Sequence, residues 1–228
     1  MTKRCRFFSN RAETEANVSA REIARAAARL FAAQGYDGTP VRAICEAAGV
    51  TKPTLYYHFG NKEGLAKALL TDPLNDQLER LGRVIEVETD PLVMLAKTFE
   101  LHFAFFRDDP DRGRFLYAIW FGPLASGLSS ELARFSGRFD ETMFQALRKL
   151  ANAGIIDPNR LAGCFMACKG QIVVRTLDFL YQAAAIGPEL PDLLVHDLIH
   201  GFGTARPVGV SSIADHPLPF PSLEGLIQ

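Results

Sequence analysis

The residues from position 52 to position 62 are of the types that contact nucleic acid. Leu55 and Phe59 lie four residues apart and predict the buried side of a short helix. Ammonium, hydroxyl, phenol and imidazole groups on its outward side suit phosphate oxygens and base edges in a DNA major groove. Alternatively, the tyrosines are half-buried packing residues and the histidine is an ordinary surface residue. The outward residues are Lys52, Thr54, Tyr56, Tyr57 and His58, with Lys62 just beyond.

Two short helices joined by a tight turn are needed to present these groups. Thr39 followed by Pro40 predicts the start of the first, which ends at Gly49. Gly49 supplies the positive φ at which the chain reverses. Thr51 caps the second helix, and Pro53 lies in its first turn. This is the spacing of a helix-turn-helix, although many other helical hairpins also contain an Ala-Gly turn.

The rest of the chain also follows the helical period. A capping box at Ser19 and Glu22 predicts a first helix that ends at Gly35, and Asn61 caps a fourth. Because no stretch shows sustained strand alternation, we predict an all-α fold. Beyond Pro73, bounded by Pro, Gly and Asp-Pro signals, we predict helices at 74–88, 91–107, 111–122, 129–153, 158–186 and 190–203.

Length and charge predict one small basic domain and one larger acidic domain. The chain has 228 residues, of which 48% are hydrophobic, so it can bury a core. Residues 1–70 hold eleven Lys and Arg against six Asp and Glu, whereas residues 71–228 hold fourteen against twenty. This asymmetry suggests a polyanionic partner for the first region only. The predicted divisions are a basic arm at 1–18, a helix-turn-helix domain at 19–70, a larger helical domain at 71–205 and a Pro-rich tail at 206–228.

Three runs carry a family resemblance: Gly35-Tyr36 to Thr39, Val41 to Val50, and Thr54 to Glu63. Their turn, Leu-Tyr-Tyr-His-Phe core and Asn-Lys-Glu fall at the spacing of TetR-type regulators, which the chain resembles over residues 19–70. The resemblance implies a three-helix DNA-binding domain and a larger helical domain that binds a small-molecule effector and forms a homodimer. It further implies a transcriptional regulator of a palindromic DNA operator. Most of the family are repressors, and activation stays open.

The resemblance also assigns DNA contacts. Residues 52–54 match the base-facing end of the recognition helix, and residues 56–58 match positions that contact phosphate or a base edge. Lys62 matches a phosphate-binding lysine, and Arg42 a position that reaches phosphate or a guanine. The family often has Ser or Thr where this chain has Val41, so the hydroxyl contact to phosphate is not expected from that position, and Thr39 could supply one nearby. The predicted DNA-binding residues are Thr39, Arg42, Thr51, Lys52, Pro53, Thr54, Tyr56, Tyr57, His58 and Lys62.

Aromatic residues give the one indication of what the larger domain binds. They recur at helical spacing, a pattern that usually reflects core packing alone. A pocket lined by some of them would be apolar with a few polar groups and would favour a hydrophobic or aromatic effector. The predicted effector-binding residues are Phe99, His102, Phe103, Phe106, Tyr117, Trp120, Phe121, Phe144 and Phe165.

The segments 158–186 and 190–203 carry the residues that we predict form a dimer interface. Either they pack inside one chain, or they pair with their copies across a two-fold axis as four helices. We favour the dimer, because one helix-turn-helix reads only half of a palindromic site. Their apolar residues are Leu161, Phe165, Ile172, Leu177, Leu180, Leu194, Leu198 and Phe202.

The cysteines predict neither a disulfide framework nor a metal site. Cys5, Cys45, Cys164 and Cys168 form no C-x-x-C pair, which indicates a reducing compartment. Cys164 and Cys168 share a helix face but lack evident further ligands, so no metal and no cofactor is expected. Small core cysteines are the default interpretation, and a redox role is the alternative.

Other classes of function have weaker support in the sequence. An acidic cluster at positions 108–111 lacks any accompanying Ser-His-Asp, phosphate-loop or H-E-x-x-H pattern, so we predict that the chain is not an enzyme. A sequence-tolerant DNA-packaging protein is the second alternative. The start, with Lys3, Arg4 and Arg6, lacks the apolar stretch of a signal peptide, and with Arg11 it forms an arm that we hypothesise touches DNA. The longest charge-free run, residues 115–130, is shorter than the ~20 residues that span a bilayer, so we expect a cytoplasmic protein.

Overall fold

The computed structural model describes residues 15–122 and 127–200, and within them the fold is all-α, as predicted. A 3₁₀ turn, Pro158–Arg160, precedes α9, and no strand occurs in these ranges. Residues 1–14 of the predicted arm, with its basic residues and Cys5, and the predicted tail with Phe202 lie outside the described residues. The last four residues of the predicted arm, 15–18, belong to the first helix, α1. The helices are α1 Glu15–Gln34, α2 Val41–Ala48, α3 Lys52–Phe59, α4 Lys62–Leu69, α5 Thr71–Val87, α6 Pro91–Asp108, α7 Pro110–Trp120, α8 Gly127–Asn152, α9 Leu161–Gln182 and α10 Leu190–His200.

The predicted caps around α3 and α4 are confirmed. The Thr51 side chain accepts a hydrogen bond from the backbone N–H of Thr54 at 3.4 Å, and Asn61 Oδ1 accepts one from Gly64 at 2.7 Å. Gly49 has φ 65°, which closes α2 in the left-handed region. These three features depend only on neighbouring residues, and they define the end of α2 and the starts of α3 and α4.

Two predicted helix starts are wrong. Helix α1 already includes Glu15, so Ser19 lies inside the helix and is not its N-cap. Pro40 occupies the N-cap position of α2, without a side-chain cap. Thr39 is instead fully buried, and its hydroxyl lies 2.7 Å from the carbonyl oxygen of Gly35. Its hydroxyl therefore donates a hydrogen bond to a carbonyl at the end of α1 and does not cap α2.

The later helices start and end near their predicted positions. Helix α5 begins earlier, at Thr71, because Pro73 fits in its first turn, where an N–H has no intrahelical partner. The predicted segment 158–186 begins with the 3₁₀ turn and its α-helix ends at Gln182. Within the described ranges, no helix is long and apolar enough to span a lipid bilayer.

The core consists of two adjoining clusters of buried side chains. We call the first the junction core, because it joins α1–α4 to the larger helical region. Phe31 of α1 and Phe115 of α7 meet there with ring centroids 4.7 Å apart. Lys67 of α4 also lies 3.1 Å from Glu131 of α8. The packing is therefore continuous across the predicted division at residue 70.

The second cluster, which we call the bundle core, lies among α5, α6, α8, α9 and α10. Met94, Phe99, Phe103 and Leu147 are fully buried in it. These helices bury one apolar stripe each against the others, as expected for an α-helical bundle. The bundle core therefore supports the junction core, on which the helix-turn-helix rests.

Candidate functional site

Helix α3 presents a polar and aromatic surface to solvent. Tyr57 is 81% exposed and Tyr56 is 44% exposed, whereas Leu55 and Phe59 are buried in the junction core. The prediction of which side faces outward is therefore confirmed. His58 is half-buried, and its ring packs edge-on against Tyr57 at a centroid distance of 5.1 Å. The buried residues therefore anchor α3, while its polar and aromatic side chains stay open to solvent, as contact with DNA would require.

The first turn of α3 lies at the surface. Lys52 and Pro53 are exposed, and the Thr51 and Thr54 hydroxyl oxygens lie 2.9 Å apart. The unpaired N–H groups and positive dipole end of a helix attract anions, and Lys52 adds a full positive charge. The turn can therefore bind a phosphate or a base edge.

Two further predicted cations flank this surface. Arg42 is largely exposed, and its Nε lies 2.6 Å from Glu46 Oε1 one turn along α2. Lys62 Nζ lies 4.4 Å from the ring centroid of Tyr36. Partial burial lowers the pKa of Lys62, and the nearby charge of Asp37 acts in the opposite direction. Both cations would have to exchange an internal partner for a phosphate.

Thr39 does not belong to this surface. It is fully buried, and its hydroxyl lies 2.7 Å from Gly35 O and 3.3 Å from Leu30 O. A phosphate oxygen could not reach it without unfolding the end of α1. The predicted hydroxyl contact from Thr39 is therefore wrong.

A second candidate site lies in the interior, around His102 of α6. Its ring is 5.0 Å from Phe106, 5.7 Å from Phe103 and 5.7 Å from Phe139, measured between centroids. Within residues 15–122 and 127–200, neither ring nitrogen has a hydrogen-bond partner. Burial lowers the pKa of His102 to about 3, so the imidazole is neutral at physiological pH. Leaving such a group unpaired costs about 1–3 kcal/mol, and buried polar groups are nearly always paired.

Two more buried side-chain atoms, Gln77 Nε2 and Thr176 Oγ1, have no hydrogen-bond partner among the described residues. Helices α5 and α6 are antiparallel neighbours, and Gln77 lies about as far before the connecting loop as His102 lies after it, so the two are level. Thr176 lies near the Tyr117 hydroxyl, although the two do not reach hydrogen-bonding geometry. We call Gln77, His102, Tyr117 and Thr176 the polar seam.

His102 of the polar seam lies where the two apolar clusters meet. His102 packs on Phe106 of the junction core and on Phe103 of the bundle core. Burial raises the pKa of Tyr117 to about 12, and Thr176 acts in the opposite direction. The seam therefore contains neutral hydrogen-bonding groups surrounded by aromatic rings.

The structure brings only part of the predicted effector-binding set together. His102, Phe106 and Tyr117 are linked by ring contacts, and Tyr117 stacks on the partly exposed Trp120 and Phe121. Phe99 and Phe103 are fully buried packing residues. The stacked pair formed by Phe144 and Phe165 lies between α8 and α9, with centroids 4.3 Å apart.

Sequence reasoning missed Gln77 and Thr176, although each leaves a readable signal. Gln77 interrupts the apolar stripe of α5, and Thr176 interrupts a stripe of α9 that otherwise recurs every three or four residues as apolar side chains. A polar residue in a buried stripe must find a partner or accept a cost. The apolar members of these stripes are Leu74, Leu78, Leu81, Phe165, Cys168, Ile172 and Leu180.

Cys164 and Cys168 lie one turn apart on α9. Cys168 is fully buried in the bundle core, and Cys164 is half-buried at its edge. The hydrogen bond from Cys168, aided by Arg160, lowers the pKa of Cys164 to about 7. Among the described residues, no group of three or more His, Cys, Asp or Glu is placed to hold a metal ion. A redox role for the pair stays a prediction.

The outer face of α9 and α10 differs from the predicted interface residues. Phe165, Ile172, Leu180 and Leu194 are buried inside the chain. Their neighbours on the outside are apolar and exposed: Met166, Val174, Tyr181 and Leu193. A Cβ added at Gly163 or Gly170 of α9 would meet no atom within 4 Å, so this face is open to a close partner.

A helix-turn-helix with an exposed polar reading helix, fixed on a helical bundle, defines the class of helical DNA-binding regulators. Residues 23–69 match the family model described as bacterial regulatory proteins, tetR family. This match covers the helix-turn-helix and its supporting helices, from within α1 to the end of α4.

Named relatives share this part of the chain. The chain is 34% identical over 82 residues to the transcriptional repressor KstR2 of Mycolicibacterium smegmatis, covering 36% of this chain and 40% of that protein. It is 39% identical over 89 residues to the regulator TtgR of Pseudomonas putida, covering 38% and 42%. The chain thus matches about two fifths of the length of these relatives.

Solved structures extend the likeness to the fold of the larger region. The transcriptional regulator FadR of Bacillus subtilis, solved in complex with stearoyl-CoA, has a TM-score of 0.62 and 20% identity, covering 80% of this chain and 99% of that chain. The TetR-family regulator PfmR of Thermus thermophilus has a TM-score of 0.63 and 22% identity, covering 79% and 98%. The bundle that follows the helix-turn-helix therefore has the fold of these regulators.

Proposed function

We propose that this protein is a transcriptional repressor that binds a palindromic operator as a homodimer and is released by a small-molecule effector. The observation that carries the proposal is the outward face of α3, where Lys52, Tyr56 and Tyr57 are exposed on a helix that Leu55 and Phe59 anchor. Such a face enters a major groove, with its first turn directed toward the bases.

Contacts on this surface divide by role. Lys52 and Thr54, in the first turn, read base edges, and Pro53 shapes that turn. Tyr56, Tyr57 and His58 bind phosphate or a base edge farther along the helix. Lys62 and Arg42 bind backbone phosphate, which gives affinity for any sequence. Thr51 holds the first turn as its cap.

The dimer forms through the exposed apolar face of α9 and α10. Met166, Val174, Tyr181 and Leu193 supply apolar area, and Gly163 and Gly170 permit close approach of a second helix. A second copy across a two-fold axis would cover the same patch on both chains. The two recognition helices would then read two half-sites ~34–36 Å apart.

The effector binds at the polar seam. A molecule with an apolar or aromatic body and a neutral hydrogen-bonding group would pair with the His102 ring, Gln77 Nε2 and Thr176 Oγ1, which have no partner among the described residues. The rings of Phe106, Tyr117 and Phe139 supply the apolar walls. Because His102 is neutral, it can both donate and accept one hydrogen bond.

Control of DNA binding passes through the junction core. Phe106 contacts His102 and Tyr117 on one side, and Phe115 of the same helix as Tyr117 contacts Phe31 of α1. A ligand that moves α6 or α7 would therefore shift α1 and α4, on which α3 rests. A coupling of about 3 kcal/mol, roughly 150-fold, would suffice to clear an operator.

The first experiment identifies the operator. Fragments retained from random DNA by the purified full-length protein are sequenced, and the recovered site is compared with unrelated DNA at one salt concentration. We expect a palindrome bound by a dimer with a preference of ~10³ or more. Equal affinity for all sequences would instead support the DNA-packaging alternative. A reporter gene placed behind the recovered site then separates repression from activation.

The second experiment identifies the effector class. Trp120 is the single tryptophan and stacks on Tyr117, so its fluorescence reports on the polar seam. A panel of phenols, aromatic amides, fatty acids and acyl-CoA thioesters is titrated into the protein with and without operator. Thermodynamic linkage requires that the operator lower the affinity for the effector by the same factor by which the effector lowers the affinity for the operator. Equal affinities with and without operator would remove this effector from the switching mechanism.

A further inference from the structure

Helix α10 carries two histidines that the proposed function does not use. His196 and His200 are one helical turn apart, both are exposed, and their ring centroids lie 4.8 Å apart. Residues four apart on a helix share one face, and this spacing lets two imidazoles bind one metal ion. Neither ring is needed to fill the core, because α10 packs through Leu194 and Val195 on its opposite side.

A carboxylate orients one of the two rings. Asp197 Oδ1 lies 3.4 Å from Nδ1 of His196, and Asp197 is less exposed than the histidine. Metal-binding histidines commonly donate one ring N–H to a carboxylate, which fixes the tautomer and leaves the other nitrogen free to coordinate. This contact favours a proton on Nδ1 of His196 and a lone pair on Nε2.

The geometry points to His196 and His200 as a binding site for a late first-row divalent cation, such as Zn²⁺, Ni²⁺ or Cu²⁺, with Asp197 as the positioning residue. Imidazole nitrogen prefers these ions, whereas Mg²⁺ and Ca²⁺ prefer oxygen ligands. The chain supplies two ligands, and solvent supplies the others. This inference does not depend on DNA binding, but it places the ion beside the proposed dimer interface, because His200 lies two turns along α10 from Leu193.

Binding at this site would stabilise the end of α10. An ion that bridges positions 196 and 200 holds the last turn of the helix closed, and the unfolded chain does not offer the pair at this spacing. Helix α10 packs on α6 and α9, over the bundle core. Ligand that binds only the folded state raises its stability by mass action. The metal would therefore raise the thermal midpoint of the whole bundle.

The experiment uses the full-length protein without an affinity tag. Zn²⁺ and Cu²⁺ are titrated by calorimetry with Mg²⁺ as a comparison, and bound Cu²⁺ is examined by electron paramagnetic resonance for coupling to two imidazole nitrogens. We expect one strong Zn²⁺ site per chain, no Mg²⁺ binding, and a higher thermal midpoint with Zn²⁺. His196→Gln and His200→Gln should each lower the affinity for Zn²⁺ by at least about tenfold, and Asp197→Asn should lower it by about 10–100-fold.

His216→Gln is the matched control, because it removes a histidine elsewhere in the chain and should leave Zn²⁺ affinity unchanged. Circular dichroism of each variant confirms that the exposed substitutions leave the helices intact. Zn²⁺ affinity unchanged in both His196→Gln and His200→Gln would overturn the assignment. Failure of the unmodified protein to bind Zn²⁺ or Cu²⁺ below about 1 mM, an affinity weaker than about −4 kcal/mol, would overturn it equally.

Discussion

The surface of α3 and the polar seam use similar side chains in opposite settings. On α3, Tyr57 and Lys52 are exposed, and solvent satisfies their polar groups until a partner replaces it. In the seam, Tyr117 and His102 are buried among aromatic rings, and the imidazole has no hydrogen-bond partner in the described part of the chain. An exposed site costs the fold nothing, whereas an unpaired buried site reduces stability until a ligand arrives.

This difference limits where an exposed DNA-binding surface and a buried ligand site can lie in the fold. A DNA-recognition surface needs only helix caps and buried anchor residues to hold it in place, because only its outward groups would contact DNA. A ligand site in the interior must interrupt the core, as Gln77 and Thr176 interrupt their apolar stripes. Stability is commonly sacrificed at such sites for function. Under the proposed function, the junction core would have to transmit the effect of ligand binding from the polar seam to α3.

The largest expected effect comes from removing the ring contact that joins α1, beside the helix-turn-helix, to α7 of the larger helical region. Phe115→Ala deletes a fully buried ring that meets Phe31 across the junction core. We expect a loss of about 3–5 kcal/mol in the free energy of unfolding, measured by urea denaturation. Phe121→Ala, at a ring that is 66% exposed, should change stability by less than about 0.5 kcal/mol. A comparable small loss for both variants would show that the junction core does not hold the two regions together.

The contrast between the two settings also explains what the sequence could predict. Gly49, Thr51 and Asn61 act on residues within three positions of themselves, and each was placed correctly. The same local rules failed at Ser19 and Thr39, where tertiary packing and the preceding residues decide the outcome. Ser19 matches a capping box, but the residues before it are also helical. Thr39 precedes a helix, but its hydroxyl is used by the end of α1.

The polar seam shows the limit more clearly. Its four residues come from α5, α6, α7 and α9, which are far apart in the sequence, so only the packing of these helices relates them. Aromatic spacing along one helix could not separate Phe106, which lines the seam, from Phe99, which fills the bundle core. Only the fold shows which polar groups lack a partner.

The second prediction concerns the pH dependence of stability. The pKa of His102 is lowered to about 3 in the folded protein, so the unfolded chain binds a proton there first as the pH falls below about 6.5. Stability should therefore decline below pH 6.5, by about 1.4 kcal/mol per unit toward pH 3, and should be insensitive to this residue above pH 6.5. Urea denaturation at pH 7.5 and pH 5 measures the difference.

Two variants at this position separate titration from the missing partner. His102→Phe should flatten the acid dependence and also raise stability at pH 7.5 by about 1–3 kcal/mol, because it removes an unpaired polar group. His102→Gln should flatten the acid dependence without the gain at neutral pH. If His102→Phe kept the acid dependence of the unmodified protein, the imidazole would not be the titrating group. Both variants should bind effector more weakly.

The third prediction separates base reading from phosphate binding on the exposed side of the comparison. Lys52→Ala and Thr54→Ala should change which bases are preferred, each contact being worth about 1–3 kcal/mol. Lys62→Ala should weaken binding to all DNA sequences alike and lower the salt dependence of binding by about one counterion per chain. Arg83→Ala, on an exposed position of α5, controls for charge alone. Unchanged base preference in both Lys52→Ala and Thr54→Ala would show that the first turn of α3 does not read the operator.

The smallest expected effect comes from the pair of Arg42 and Glu46, which are both exposed and lie 2.6 Å apart. Glu46→Gln removes a negative charge beside the reading surface and releases the guanidinium for a phosphate. Because an exposed ion pair is weak, we expect operator affinity to rise by only about two- to fivefold, with a steeper salt dependence. Fluorescence anisotropy with labelled operator measures both quantities. Glu79→Gln, at an exposed position of α5, carries the same charge change and should have little effect. Equal affinities for Glu46→Gln and Glu79→Gln, together with no loss in Arg42→Ala, would remove Arg42 from the interface and leave α3 and Lys62 as its cationic part.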